Sequence, residues 1–388
     1  MSPQVERFEI AIPQTDLDDL QQRLARIRWP GEIGDNRDWQ AGANLGFMRA
    51  LVDYWGDGFD WRAQERALNA LPQFRTTIED VPLHFVHVRG KGPNPKPLIL
   101  CHGWPWTFRD FIKVIGPLSD PVAHGGDPAD AFDVIVPSIP GFAFSSPVTR
   151  TDLNPAAIAD LLAMLMERLG YDRFAVHGAD LGAYIAAMIG HRHADRVIGV
   201  HLQHLLEFRK PHLTDDDYAP HERRFIPERD RFLAEGMGYF QIQRTKPQTI
   251  AFAMNDSPVG LAAWLVEKRH GWGGTKGNVE SAFSKDDLLA TVCLYWFTQT
   301  YLSAAWHYRV SSIPGARKSL VHDRLPMVEV PVAGQQFLED IVFRPRAFAE
   351  KHFNIVRWNT EERGGHFGAF ERPDAVVADL RGFLGGLR

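Results

Sequence analysis

Apolar residues recur along this chain in two rhythms. Near the N-terminus Leu17, Leu20, Leu24 and Ile27 fall on one helical face, and Pro30 ends the run. Thr15-Asp16-Leu17-Asp18 opens it in the manner of a capping box, with an acid at the third position. This face has no strand beside it in sequence, so the helix is expected to pack on a later part of the chain. From about Phe74 the rhythm changes. Val81, Leu83 and Phe85 share one face of a strand, while Val86 and Val88 load the other, so both faces are expected to be covered. Leu98–Cys101, Phe132–Val136, Phe174–Val176 and Val197–Val200 are short apolar runs of the kind buried on both sides of a sheet. Val328–Val332 and Ile355–Trp358 are later candidates.

Helical patterns separate these runs. The clearest has Asn154 as N-cap and Pro155 at the first helical position. Ile158, Leu161, Leu162, Leu165 and Leu169 form its apolar face, and Gly170 closes it. Strand–helix alternation of this kind predicts an α/β fold, a mainly parallel sheet with helices on both faces. Residues 206–325 break the alternation. They lack convincing strands and carry helical stretches at Pro258–Lys268 and Lys285–Tyr301, with a glycine-rich loop at Gly271–Gly277. The expected division is an N-terminal arm at 1–90 packed on the core, a first part of the core at 91–205, an inserted helical lid at 206–325 and a second part of the core at 326–388.

Composition narrows the function. Lys+Arg is 43 against 48 for Asp+Glu, a net charge of −5, and no basic face for nucleic acid is expected. Two cysteines, Cys101 and Cys293, make no disulfide framework and suit a reducing, cytoplasmic setting. The first residues have neither the basic nor the apolar region of a signal peptide, and no window reaches membrane-span length, so no membrane anchor is expected.

Three loops carry candidate chemistry. In Gly178-Ala179-Asp180-Leu181-Gly182 an apolar strand runs straight into a small-residue helix, with small residues flanking Asp180. The nucleophile elbow of α/β-hydrolases has this shape, usually with serine at its centre. A carboxylate there needs no base to activate it and attacks carbon to form an ester. The plainer reading is that Asp180 caps the helix. His102-Gly103-Trp104-Pro105 ends an earlier strand, where such folds place one oxyanion-hole N–H; the residue after the nucleophile supplies the other. The candidates are the amides of Trp104 and Leu181. Gly364-Gly365-His366-Phe367 puts one of 16 histidines in a late glycine-rich loop, where the order nucleophile, acid, histidine places its base. The acid belongs at the preceding strand end, where Glu339 and Asp340 are adjacent; the residues alone do not choose between them.

In these motifs the chain resembles the epoxide hydrolases of the microsomal type, in the soluble form found in bacteria and fungi. The resemblance covers essentially the whole chain, including Phe8–Pro30, Phe59-Asp60-Trp61-Arg62 and the three loops above. It implies an α/β-hydrolase core, with Asp180 as nucleophile and His366 as base. Its Phe-x-x-Asp pattern places the acid at Asp340, although some relatives use Glu, which keeps Glu339 in view. It also assigns two lid tyrosines as donors to the epoxide oxygen, Tyr239 in Gly236-Met237-Gly238-Tyr239-Phe240 and Tyr308 in Trp306-His307-Tyr308-Arg309. The implied partners are a small-molecule epoxide and water, with a homodimer left open and no metal or cofactor.

Two other readings fit the motifs less well. A haloalkane-type dehalogenase shares the Asp–His chemistry but commonly has Trp directly after the nucleophile, where Leu181 stands. A non-catalytic binding protein has no need of every catalytic residue type. Gly271–Gly277 lacks phosphate-loop spacing, and His191-x-His193 and His201-x-x-His204 belong to no recognisable metal motif, so solvated or core histidines are expected there. Trp104, Trp106, Trp296 and Trp306 suit either a pocket lining or bulk burial.

Overall fold

The apolar runs assemble into one sheet. The computed structural model describes residues 4–37, 39–204, 211–312 and 323–387. Nine strands are present among them: β1 Glu6–Phe8, β2 Gln73–Ile78, β3 Val81–Val88, β4 Lys96–Cys101, β5 Phe132–Pro137, β6 Phe174–Gly178, β7 Val197–Leu202, β8 Val328–Phe337 and β9 Phe353–Glu361. They lie in the order β1-β2-β3-β5-β4-β6-β7-β8-β9. Pairing is antiparallel from β1 to β5 and parallel from β5 through β9. Helices connect the parallel strands, as such crossovers require. β5 and β6 are buried at every position, which explains their mostly apolar sequence, broken only by Asp133 and His177.

The helix Pro155–Arg168 follows the sequence pattern closely. Asn154 accepts from the amides of Ala156 (3.1 Å) and Ala157 (3.0 Å). A cap of this type is worth about 1 kcal/mol. Ile158, Leu161, Leu162 and Leu165 are buried, and Gly170 takes φ +84° just past the end.

The first ninety residues contribute β1–β3 to the sheet, as well as helices at Gln14–Leu24, Leu45–Asp57 and Trp61–Asn69. The Gln14–Leu24 helix starts one residue before the expected capping box. Its N-cap is Pro13, with no side-chain cap, so Thr15 and Asp16 lie in the first turn and only the Asp16 charge complements the helix end. It packs on the later helix Pro258–Trp272, and Arg23 reaches Asp256 at 3.0 Å.

Between β7 and β8 the described residues form helices and turns without a strand. Helices Gly238–Thr245, Pro247–Asp256, Pro258–Trp272, Lys285–Thr298 and Tyr301–Val310 lie in this insertion. Among the described residues no helix is long and apolar enough to cross a membrane.

Candidate active site

β6 ends at Gly178, and the next helix runs from Leu181 to Arg192. Asp180 sits between them at φ +52° and ψ −125°, outside the regions L-residues normally occupy. Glycines are needed around it because neighbouring backbone and the Asp180 side chain itself press in. A Cβ on Gly182 would lie 2.0 Å from the Cys101 carbonyl oxygen, and one on Gly103 would lie 2.3 Å from Asp180 Oδ1. Asp180 occupies the N-cap position, yet its side chain makes no cap hydrogen bond. Its Oδ1 accepts from the Trp104 amide at 2.8 Å instead. Leu181 is the first residue of the helix, so its amide has no acceptor within the helix. Of the two amides suggested by sequence, that of Trp104 meets the carboxylate, and that of Leu181 follows it directly in the chain, free of a helical acceptor.

His366 arrives on the loop after β9. Its Nε2 lies 3.5 Å from Asp180 Oδ2, and its Nδ1 lies 3.0 Å from Asp340 Oδ1. Glu339 faces elsewhere: its Oε2 accepts from the Gly364 amide at 2.8 Å, and Lys276 lies 3.4 Å from its Oε1.

The glycine-rich loop of the lid finds its explanation here. The His366 amide donates to the Trp272 carbonyl at 2.9 Å, and a Cβ on Gly365 would lie 2.5 Å from the Gly274 nitrogen. Glu371 clasps the two loops by accepting from the amides of Gly274 (2.7 Å), Gly365 (3.1 Å) and Phe367 (2.9 Å). Close approach of two backbones, rather than phosphate binding, accounts for these glycines.

The lid brings the two tyrosines over the same spot. Tyr239 stacks on Trp104, with centroids 5.2 Å apart and planes 6° from parallel. Tyr308 meets Trp104 edge-on at 5.9 Å and Tyr239 at 5.9 Å. Burial first, and then the nearby Asp180 charge on Tyr239 and the Tyr239 and Asp180 charges on Tyr308, push both phenols well above their ordinary pKa. Both therefore keep their protons at neutral pH and can donate them.

Burial opposes charge on His366, but Asp340 and Asp180 outweigh it, and the imidazole is raised to about 9. Burial would raise the two carboxyls, yet the histidines hold both below the usual carboxylate range. The resting site is an imidazolium between two carboxylates. A group with a raised folded pKa stabilises the fold below its unfolded value and loses that contribution as pH climbs through the folded one. His366 therefore adds stability below pH 6.5 that fades as pH rises through about 9. Asp180→Asn removes one of the two anions and should lower the His366 pKa. Melting curves across this range should show a weaker alkaline loss in the variant; an unchanged pH dependence would contradict the charge arrangement.

His204 escaped the sequence reading, which placed it with solvated or core histidines. It stands two residues beyond β7, with Nε2 2.9 Å from Asp340 Oδ2. Ring-nitrogen and carboxylate donors of His204, Asp340 and His366 lie within 4.8 Å of one another, close enough for a metal site; the contacts among them already account for the cluster. The available signal was position, since sites in α/β sheets gather at the carboxyl ends of strands. His201 is a core residue, bonded to Asp379 (3.0 Å) and His177 (2.8 Å). His193 pairs with Asp160, and His191 meets the Met327 carbonyl. Trp104 and Trp106 border the site, Trp106 edge-on to His366 at 5.8 Å. Trp296 lies under Arg23, and Trp306 reaches the Thr151 carbonyl.

Comparison with known proteins places this geometry in a family. Residues 5–111 match the family model described as the epoxide hydrolase N terminus, and residues 96–263 match that of the alpha/beta hydrolase fold. A Stigmatella aurantiaca protein is 40% identical over 378 residues, spanning 96% of this chain and 83% of its own. Epoxide hydrolase 1 of Sus scrofa is 33% identical over 407 residues, spanning 97% of this chain and 88% of its own. The crystal structure of juvenile hormone epoxide hydrolase from the silkworm Bombyx mori superposes with a TM-score of 0.90 at 27% identity, covering 99% of this chain and 94% of that one. Aspergillus niger epoxide hydrolase superposes with a TM-score of 0.86 at 28% identity, covering 100% and 97%. Identity of a third or more along nearly the full length, with the arm and the core both matched, makes this chain a member of the epoxide hydrolase family.

Proposed function

We propose that this epoxide hydrolase makes vicinal diols through a covalent ester on Asp180. The observation that carries the reading is a carboxylate on a strained turn that leaves its helix uncapped and is held beside His366 and beneath two protonated phenols. Tyr239 and Tyr308 donate hydrogen bonds to the epoxide oxygen. Asp180 Oδ2 attacks a ring carbon, the carbon–oxygen bond breaks, and the departing alkoxide takes a phenolic proton. The product is a neutral glycol monoester.

Esterification also changes His366. It removes one of the two negative charges that hold the imidazolium, so its pKa falls; the proton it gives up passes through solvent to restore the phenol that protonated the alkoxide, and a neutral base is left. His366 then takes a proton from water as the oxygen attacks the ester carbonyl. The amides of Trp104 and Leu181 steady the oxyanion, and collapse releases the diol and restores Asp180. Asp340 orients His366 and stabilises its charged form. No step draws on a metal.

Asp340 and Glu339 give a direct test. Asp340→Asn should slow ester hydrolysis by roughly 1,000- to 10,000-fold, because the imidazole loses its orienting anion. Glu339→Gln keeps an acceptor for the Gly364 amide and should stay near the parent rate. Single-turnover kinetics with an aryl epoxide checks both; the reverse ranking would move the acid to Glu339.

A further inference from the structure

His204 takes no part in the steps above, yet it touches both ends of the machinery. The Asp180 amide donates to His204 Nδ1 at 2.6 Å. Only an unprotonated ring nitrogen can accept that bond, so the ring hydrogen must sit on Nε2. Nε2 lies 2.9 Å from Asp340 Oδ2. This buried nitrogen makes no well-aligned hydrogen bond among the described residues, and Asp340 Oδ2 is the acceptor beside it, off the N–H axis. The ring packs against that of His366 at 4.2 Å, and Trp106 closes its side edge-on at 6.3 Å. The neighbouring Gln203 adds a tie from the same strand end, donating to the His366 carbonyl at 2.9 Å.

We propose that His204 is a positioning residue that bolts the nucleophile turn to the triad acid, Nδ1 holding the Asp180 amide and Nε2–H occupying Asp340 Oδ2 so that Oδ1 is left for His366. The inference rests on the ester mechanism above. Each tie serves one half-reaction. The amide bond steadies the strained backbone at φ +52° and so aims the Asp180 carboxylate at the epoxide carbon. The contact with Oδ2 stabilises the Asp340 anion, makes it a weaker partner for the His366 proton, and eases release of that proton when water is needed. The titratable groups facing His204 and Asp340 are His177 from β6, Asp180 from the turn after it, and His366 and Glu371 from the loop clasp, while Tyr239 and Tyr308 of the lid face Asp180. Glu339 turns away toward Gly364 and Lys276.

Two substitutions separate the ties. Asparagine places an acceptor where Nδ1 stands but has nothing at Nε2. Glutamine reaches the Nε2 position with a donor but leaves the Asp180 amide unmet. The probe is styrene oxide in single turnovers across pH, read by ester on the Asp180 peptide and by diol release. His204→Gln should slow ester formation by about 10- to 100-fold, a misplacement effect, and leave the pH profile of hydrolysis unmoved. His204→Asn should form ester near the parent rate and shift the pKa governing hydrolysis upward by about one unit, because Asp340 binds the His366 proton more tightly. His204→Phe should show both defects.

Parent rates and profiles in both polar variants would overturn the proposal. So would equal losses in all three with an unshifted profile, which is what lost packing produces. Nitrogen NMR of the unsubstituted protein decides the matter should the variants fail to fold. The expected signal for His204 near neutral pH is a bare Nδ1 and a protonated Nε2, and a protonated Nδ1 would overturn the bridge. A parent enzyme that forms no ester would overturn the mechanism instead, while the NMR result would still report on the bridge.

Discussion

A His366→Gln enzyme mixed with an aryl epoxide is expected to stop halfway. Alkylation needs only the carboxylate and the phenols, so Asp180 should be esterified at a rate close to the parent's. Hydrolysis needs a base for water, and the glutamine side chain supplies none. Steady-state turnover should fall by roughly 10,000-fold or more, as when a triad base is removed. The peptide carrying Asp180 should gain the full mass of the substrate. Asp180→Asn should form no adduct at early times, although slow deamidation can restore some carboxylate. Rapid diol release by the His366 variant without adduct would place the base elsewhere.

The second large effect belongs to the lid. Tyr239 and Tyr308 converge beside Trp104, and both keep their protons because burial and the Asp180 charge disfavour phenolate. Charge develops on the epoxide oxygen as the ring opens, and each donor aimed at it is commonly worth about 3 kcal/mol, or roughly 100-fold in rate. Tyr239→Phe and Tyr308→Phe should each slow ester formation by about that factor. The double variant should lose nearly all turnover, since no proton is then offered to the alkoxide. Hydrolysis of an ester already formed should be much less affected. A Tyr308→Phe enzyme that alkylates at the parent rate would remove that residue from ring opening.

The sequence revealed the parts of this site that lie on single turns. Gly178–Gly182, His102–Pro105 and Gly364–Phe367 each lie at or just after a strand end, and their glycines reflect contacts under 3 Å that an added Cβ would make with backbone or with neighbouring side chains. Less was visible where partners come from distant segments. β1 has three residues, too few for a period to register. β2, Gln73–Ile78, is polar along much of its length because half of its positions are only partly buried. Its turn into β3 uses Glu79 and Asp80 at φ +47° and +63°, without the glycine that usually marks such hairpins. His204 looked like a spaced histidine pair with His201, and only the neighbouring β6 and β8 ends reveal that the two do different things. The choice between Glu339 and Asp340 depended on which side chain turns toward His366, a matter of one residue at a strand end. The tyrosines came from family resemblance, because nothing local in either lid helix distinguishes them from other buried aromatics.

Oxygen tracing tests the ester mechanism most directly. A carboxylate nucleophile gives the product one of its own oxygens, and water then attacks the carboxyl carbon rather than the epoxide. A single turnover in heavy-oxygen water, with enzyme in excess over epoxide, should yield diol carrying ordinary oxygen. The label should appear in the peptide containing Asp180. Heavy oxygen in the diol of that first turnover, with none in Asp180, would mean that activated water opens the ring itself and that the carboxylate serves only as a base.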